Sequence, residues 1–154
     1  MKSRALRLVP GLLVLVLGWP HPVSGQWTKV GSFAKAAGAG QTVAHGLGQT
    51  PKALILWTDG KTNETFSTDF LYAFGMTDGT TSKSVAMASR SSGAVPVAAR
   101  RLANKVITIV DYSSTVQAEA DLQSWDATNF TLSWTTNNGT GYVVHFIAIG
   151  GPGV

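Results

Sequence analysis

Trp57 and Trp125 each end a stretch that reads as a strand and are each followed within two residues by a carboxylate, Asp59 and Asp126. An aromatic face attracts the apolar C–H side of a sugar ring while neighbouring carboxylates or amides fix its hydroxyls, so this pairing suits a polar, ring-shaped ligand. Asn137 and Asn138, just ahead of Gly139, add two side-chain amides at a turn. These six residues, Trp57, Asp59, Trp125, Asp126, Asn137 and Asn138, are the candidate ligand-binding set, and the ligand they imply is a glycan. Tyr112 and Trp134 are further rings able to stack, but Trp134 alternates with Phe130 and Leu132 and reads as core.

The means for catalysis are thinner. Glu119 and Asp121 share one strand face about 7 Å apart, a spacing compatible with a Ca²⁺ site or an acid/base pair. The plainer reading is that both are solvent-facing charges. His145 sits in the alternating series Val143, His145, Ile147, Ile149 and is expected to be half buried, whereas His45 precedes Gly46 and reads as a turn residue. Either would need another strong ligand beside it to hold a metal. Gly38-Ala-Gly40 and Gly46-Leu-Gly48 match no phosphate-binding loop, and no Gly-x-Ser-x-Gly elbow occurs. The chain has no cysteine, which excludes a thiolate zinc cluster and a cysteine nucleophile. No enzyme activity, catalytic residue, metal or cofactor is expected.

Charge and compartment follow from the first 25 residues. Lys2, Arg4 and Arg7 open the chain, Leu8–Trp19 is apolar apart from Pro10, Gly11 and Gly18, and Val23-Ser-Gly25 precedes Gln26. That is the three-part pattern of a secretory signal peptide, and its apolar run is shorter than the roughly 20 residues a membrane span needs. Removing residues 1–25 leaves nine basic against eight acidic side chains, so the net charge falls from +4 to near +1. The apparent basicity therefore leaves with the leader, and no nucleic-acid partner or lasting membrane attachment is expected. Asn63-Glu-Thr65, Asn129-Phe-Thr131 and Asn138-Gly-Thr140 are N-glycosylation triplets, meaningful only in a host with that machinery. Modification of Asn129 would hinder folding, because Phe130 beside it reads as buried.

The elements that must position these side chains are strands, since no segment sustains a helical period. Trp27–Phe33, Gln41–His45, Ser82–Arg90 and Lys105–Val110 each read as a strand, and Lys52–Trp57 is a continuous apolar run suited to a central one. Phe66–Gly75 reads as a strand because Phe70, Tyr72 and Phe74 alternate, while Ala94–Leu102 fits no single pattern. Val116–Trp125 puts Ala118, Ala120 and Leu122 on a dry face and Glu119, Asp121 and Gln123 on a wet one. Asn129–Trp134 and Tyr142–Ile149 flank Asn137-Asn138-Gly139, the strongest local signal for a β-hairpin, with Asn129 suited to a left-handed turn. The second of these runs is apolar on both faces apart from His145. Both faces are therefore expected to be covered, by another sheet or by another subunit. Charged residues make up only 13% of the chain and glycines number 17, which suits a tight all-β protein with a surface fit for neighbouring subunits. The expectation is one domain over 26–154, an antiparallel, jelly-roll-like β-sandwich of eight to ten short strands.

The segment Leu122–Gly150, with Asn129-Phe-Thr-Leu-Ser-Trp134 and Val144-His-Phe-Ile-Ala-Ile-Gly150, resembles the closing strands of H-type lectin domains, small trimer-forming β-sandwiches that bind sugars. Adding Gln49-Thr-Pro-Lys-Ala-Leu-Ile-Leu-Trp57 and Ala118-Glu-Ala-Asp-Leu-Gln-Ser-Trp-Asp126 extends a likeness to structural and tail-fibre-like proteins of tailed bacteriophages over roughly Gly31 to Gly150. The resemblance implies a homo-oligomeric β-sandwich used for attachment or assembly, extracellular or on a virion surface. The Trp-His pair that H-type lectins offer at the last turn has no counterpart in Thr135-Thr-Asn-Asn138. Their arginine on the preceding strand likewise has none between Val116 and Asp121.

Overall fold

A strand that alternates apolar and polar residues buries one face, so a set of such strands closes only when two sheets share their apolar faces. The computed structural model describes residues 27–63, 65–66, 68–91 and 97–152, with all side chains in these ranges except those of 97–100. The signal-peptide reading, residues 1–25, lies outside the described residues. Ten strands form: β1 (Trp27–Ala34), β2 (Gly40–Ala44), β3 (Ala53–Thr58), β4 (Phe70–Thr77), β5 (Ser82–Arg90), β6 (Val97–Ala103), β7 (Ile107–Val110), β8 (Val116–Trp125), β9 (Asn129–Asn137) and β10 (Val143–Gly150). They make a six-stranded sheet in the order β1-β10-β3-β4-β5-β6 and a four-stranded sheet in the order β2-β9-β8-β7, with every pair antiparallel. This is the all-β sandwich expected from the alternation. The chain changes layer at β1–β2, β2–β3, β6–β7 and β9–β10 in jelly-roll-like fashion, while β3–β6 and β7–β9 run as simple meanders. Among the described residues no helix is long and apolar enough to cross a membrane.

The core lies between the layers. Leu54 and Leu56 of β3 and Val144, Phe146 and Ala148 of β10 face Phe130, Leu132 and Trp134 of β9, all buried. Each such large side chain contributes on the order of 1.5–3 kcal/mol through the water it excludes. Phe130 anchors this half, meeting Phe33 edge-on at 5.9 Å and Phe146 at 5.2 Å between ring centroids. Gly31, opposite Phe146 in the β1–β10 ladder, makes room for that ring, since a Cβ there would stand 2.5 Å from it. The other half is built differently. All four residues of β7 are buried although it is an edge strand, because β4, β5 and β6 curl over it. Their inward positions are small to admit it: Ala73 and Gly75 on β4, Ser84, Ala86 and Ala88 on β5.

Three expectations are corrected. First, β9 and β10 do not form a hairpin; they belong to different sheets, and residues 138–142 carry the chain across the gap between layers. Turn chemistry reports that the chain reverses at Gly139 (φ 78°), but the interior residues of both strands point toward each other across the core and so cannot lie side by side. The hairpin in this region joins β8 to β9 instead, and the non-glycine residue with positive φ among the described residues is Ser114 (64°), not Asn129. Second, β8 does not keep its period. Register shifts beside Glu119 and Leu122 break the alternation, and Ala118, Glu119 and Ala120 are all buried. Glu119 is tolerated there because Arg101 Nε donates to Oε1 at 3.1 Å and Thr108 Oγ1 lies at 3.4 Å, while Asp121 pairs separately with Lys105 at 2.8 Å. The two carboxylates are neither both solvent-facing nor a working pair. Third, His45 is more than the turn residue expected: it does follow β2 at the turn, but it is also buried, its Nδ1 accepts the Leu47 amide at 3.0 Å, and its Nε2 lies 3.0 Å from the Asp126 carbonyl.

Candidate functional site

The six-stranded sheet has an inner face in the core and an outer face that none of the described residues covers. Residues directly opposed in an antiparallel ladder share a face, so the register assigns the outer one without ambiguity. Val30 of β1 leads to Ile147 of β10, Ile55 of β3 and Met76 of β4, while Val143, His145 and Ile149 flank Ile147. Trp57 opposes His145 on one side and Phe74 on the other, and Phe74 leads to Val85 and then Leu102. Tyr72 and Met87 pair beside them. Val30 is 69% exposed, Leu102 83%, Met76 48% and Met87 40%, and the central residues are half-buried only by one another. Among the described side chains of this face, Lys83 is the one ammonium and there is no carboxylate. A sheet exposed on one side ordinarily presents polar residues there. The expectation that β10 is covered on both faces is thus met on one face and unmet on the other within a single chain.

At one end of this face, the β3–β4 connection stands beyond the strand ends and encloses a cleft of about 360 Å³ lined by Asp59, Lys61, Asn63, Thr65, Phe66, Asp69, Phe70, Val143 and His145. Its floor is strand-borne: His145 stacks on Trp57 with centroids 5.4 Å apart and planes 23° from parallel. Its wall is pinned at both ends. Asp59 Oδ1 accepts the Lys61 amide at 3.0 Å, the Asp59 carbonyl accepts the Leu71 amide at 3.0 Å, and the Lys61 carbonyl accepts the Val143 amide at 2.7 Å. Gly60 takes φ 80°, and a Cβ on it would stand 2.5 Å from Leu71 Cβ. Asn63 Oδ1 accepts the Thr65 amide at 3.1 Å, and Asp69 Oδ1 accepts the Ser91 amide at 2.8 Å. The cleft combines aromatic faces with carboxylate, amide, ammonium and imidazole groups on a loop held in place by its own backbone.

The six ligand-binding candidates do not form one site. Asp59 lines the cleft, and Trp57 stands behind His145, outside the lining. Asn137 and Asn138 are at the same end of the sandwich but committed to the crossing: Asn137 Nδ2 donates to the Ala36 and Gly38 carbonyls at 3.0 and 2.9 Å, and its Oδ1 accepts from buried Lys35. Lys35 Nζ also lies over the Trp134 and Tyr142 rings, at 5.3 and 5.9 Å. Asn138 Nδ2 contacts Gln117 Oε1 and Tyr142 Oη at 3.0 and 2.9 Å. Trp125 and Asp126 sit at the opposite end, separated from Asn137 by the length of β9, roughly 27 Å at strand rise. Trp125 packs over Gly79, where a Cβ would meet its ring at 2.5 Å, and closes that end of the core.

Asp126 is a turn former. Hydrogen bonds from the Asn129 and Thr128 amides hold its carboxyl below the usual carboxylate range, as those from Thr81 and Thr80 do for Asp78. A depressed folded-state pKa contributes stability that is complete above the unfolded value, about 3.9, and is lost as pH falls through the folded one. Tm is therefore expected to drop below about pH 4, and Asp126→Asn, which keeps the acceptor but not the charge, to flatten part of that drop in a pH series of thermal melts.

Residue types missed from the sequence are Lys61, Asn63, Asp69, Phe70 and His145 as cleft neighbours of Trp57 and Asp59. The signals for His145 and Phe70 were their places in the outer-facing series of β10 and β4; Lys61, Asn63 and Asp69 lie in a loop with no period to read. Among the described residues no group of three or more His, Asp or Glu side chains could hold a metal ion.

No protein-family model matches the chain, and no curated protein matches it. Among solved structures, the crystal structure of the Acinetobacter phage vB_ApiP_P1 tailspike protein is similar to it with a TM-score of 0.33 and 12% identity, covering 97% of this chain and 25% of that one. The chain spans about a quarter of that tailspike's length, and a likeness at this level bears on neither fold nor function.

Proposed function

We propose that this chain is a non-catalytic structural or attachment module, of a phage-type particle or of an extracellular assembly, and that it works as a homo-oligomer joined through the outer face of the six-stranded sheet. The observation that supports this reading is the apolar, nearly charge-free outer face. Six strands about 4.8 Å apart and about 25 Å long present roughly 600 Å². Two copies apposed would bury roughly 1,200 Å², the lower bound of stable interfaces. An apolar patch of that size is at the upper end of what monomers expose, and such patches often mark interaction sites. A second copy is the occupant that fits, because the described side chains of this face, with one ammonium and no carboxylate, offer little charge pattern for a differently charged partner to match; Arg100 shares the face by register, opposite Met87.

Both sheets are built entirely from residues within 27–150, so residues 26–154 are the species to measure. Light scattering is expected to give a small multiple of the subunit mass; a subunit mass at every concentration would overturn the reading. The second reading, a secreted carbohydrate-binding protein akin to H-type lectins, draws on the cleft at Trp57 and Asp59. It does not draw on the last turn, whose asparagines hold the chain crossing.

A further inference from the structure

The attachment reading leaves open what is bound and where. We infer that the cleft between the β3–β4 loop and the head of β10 is a binding site for a neutral saccharide of one or two rings, an inference that rests on the attachment reading above. A volume of about 360 Å³ is at the small end of ligand sites, which excludes extended polymers lying wholly within it. The lining sets the chemistry. Asp59 and Asp69 outnumber Lys61, so the cleft disfavours phosphate, sulfate and acidic sugars. Asp59, Asn63 and Lys61 supply acceptors and donors of the kind that read hydroxyl groups, and Phe66, Phe70 and the His145 ring, which is backed by Trp57, supply the faces that ring C–H groups pack against. Asp59 and Lys61 are already tied to Leu71 and Val143, so these two residues need little ordering on binding.

The recess beside Gly79–Lys83 is larger, about 500 Å³, but its polar groups satisfy one another. Lys83 Nζ bonds Asn104 Oδ1 at 2.6 Å, and Asp121 pairs with Lys105. The saccharide cleft is also distinct from the last turn, where the resemblance to H-type lectins would have placed it. It lies at the loop-end margin of the outer sheet face, so copies packed through that face leave its mouth at the rim of the assembly.

The test is a titration of ¹⁵N-labelled residues 26–154 with glucose, galactose, N-acetylglucosamine and their disaccharides, with inorganic phosphate as the charged control and light scattering on the same samples. Saturable amide shifts are expected for at least one neutral sugar, clustered at 59–71 and 143–146, with none from phosphate. Asp59→Asn keeps the Oδ1 acceptor that the Lys61 amide uses and is expected to weaken that sugar about tenfold, as loss of a charged hydrogen-bond acceptor does, without changing the scattering mass. Phe70→Ala is expected to weaken it as well. No saturable shift with any neutral sugar, shifts confined to the Trp125–Asp126 turn, or a stronger response to phosphate would each overturn the inference. An oligomer that ignores every sugar removes this inference alone, and a monomer whose cleft amides respond removes the assembly reading alone.

Discussion

Gly75→Ala is expected to cost at least about 3 kcal/mol of stability, beyond the ordinary range for an added core methyl, and to leave little soluble protein. Gly75 faces inward on β4, between Leu56 and Ser84 in the sheet. A Cβ on it would stand 2.0 Å from the Val106 carbonyl oxygen and 2.8 Å from its carbon. Those are backbone atoms, and they cannot retreat by changing rotamer. The same residue is fixed from behind, because the Val106 amide donates to the Ala120 carbonyl of β8 at 2.9 Å. Relief would require prising β7 away from the sheet that curls over it, which exposes Val106, Ile107 and Ile109, all fully buried. Gly40→Ala is the control: a Cβ there meets nothing within 4 Å and φ is not in the left-handed region, so stability should be unchanged or slightly raised. Urea unfolding of the two variants beside wild type checks the contrast. Equal midpoints for Gly75→Ala and wild type would mean that the layers are not in backbone contact there.

Ile55→Glu is expected to produce a folded monomer. Ile55 lies at the middle of the outer face, flanked in register by Ile147 and Met76, and its side chain has no role in the core. Within one subunit a glutamate there reaches water. Between two subunits it would be a buried charge facing Val30, Ile147, Trp57 or their counterparts, and Lys83, the ammonium of this face, stands two strands away and is bonded to Asn104; an inadequately paired buried charge costs about 3–5 kcal/mol. Association should therefore weaken by at least about a hundredfold, since 1.4 kcal/mol is a factor of ten, while the unfolding midpoint at high dilution stays near that of the wild type. Light scattering and urea unfolding together separate a lost interface from a lost fold.

Strand content was legible because period-2 alternation is a local property. The runs at β3, β5 and β7 announce themselves, and Phe70, Tyr72 and Phe74 correctly favoured a strand over a helix at β4. What alternation does not encode is which strand lies beside which. Asn137-Asn138-Gly139 reverses the chain whether the next strand pairs alongside or crosses to the facing sheet, and here the side chains of Asn137 and Asn138 hold the crossing. The buried Glu119 was illegible for a related reason: the register shifts in β8 come from its fit to β9, and the arginine that balances the carboxylate arrives from β6, 18 residues away. The candidate site was half legible. Trp57 and Asp59 were found through an aromatic ending a strand beside a carboxylate, but the same signal at Trp125 and Asp126 marked a packed corner. His145 joins Trp57 only through the β10–β3 register, and Lys61, Asn63 and Asp69 only through the path of a loop. The apolar second face of β10 was visible from the start, and it is the feature on which the assembly reading stands.

The chain has three methionines, Met1, Met76 and Met87, and the two among the described residues both lie on the outer sheet face, 48% and 40% exposed in a single copy. Their oxidation by dilute peroxide, followed by mass spectrometry, therefore reports on that face alone. If copies pack through it, Met76 and Met87 oxidise slowly in wild-type protein at high concentration and rapidly in Ile55→Glu under the same conditions. Equal, rapid oxidation of both residues in the two proteins would show the face open to water and contradict the account.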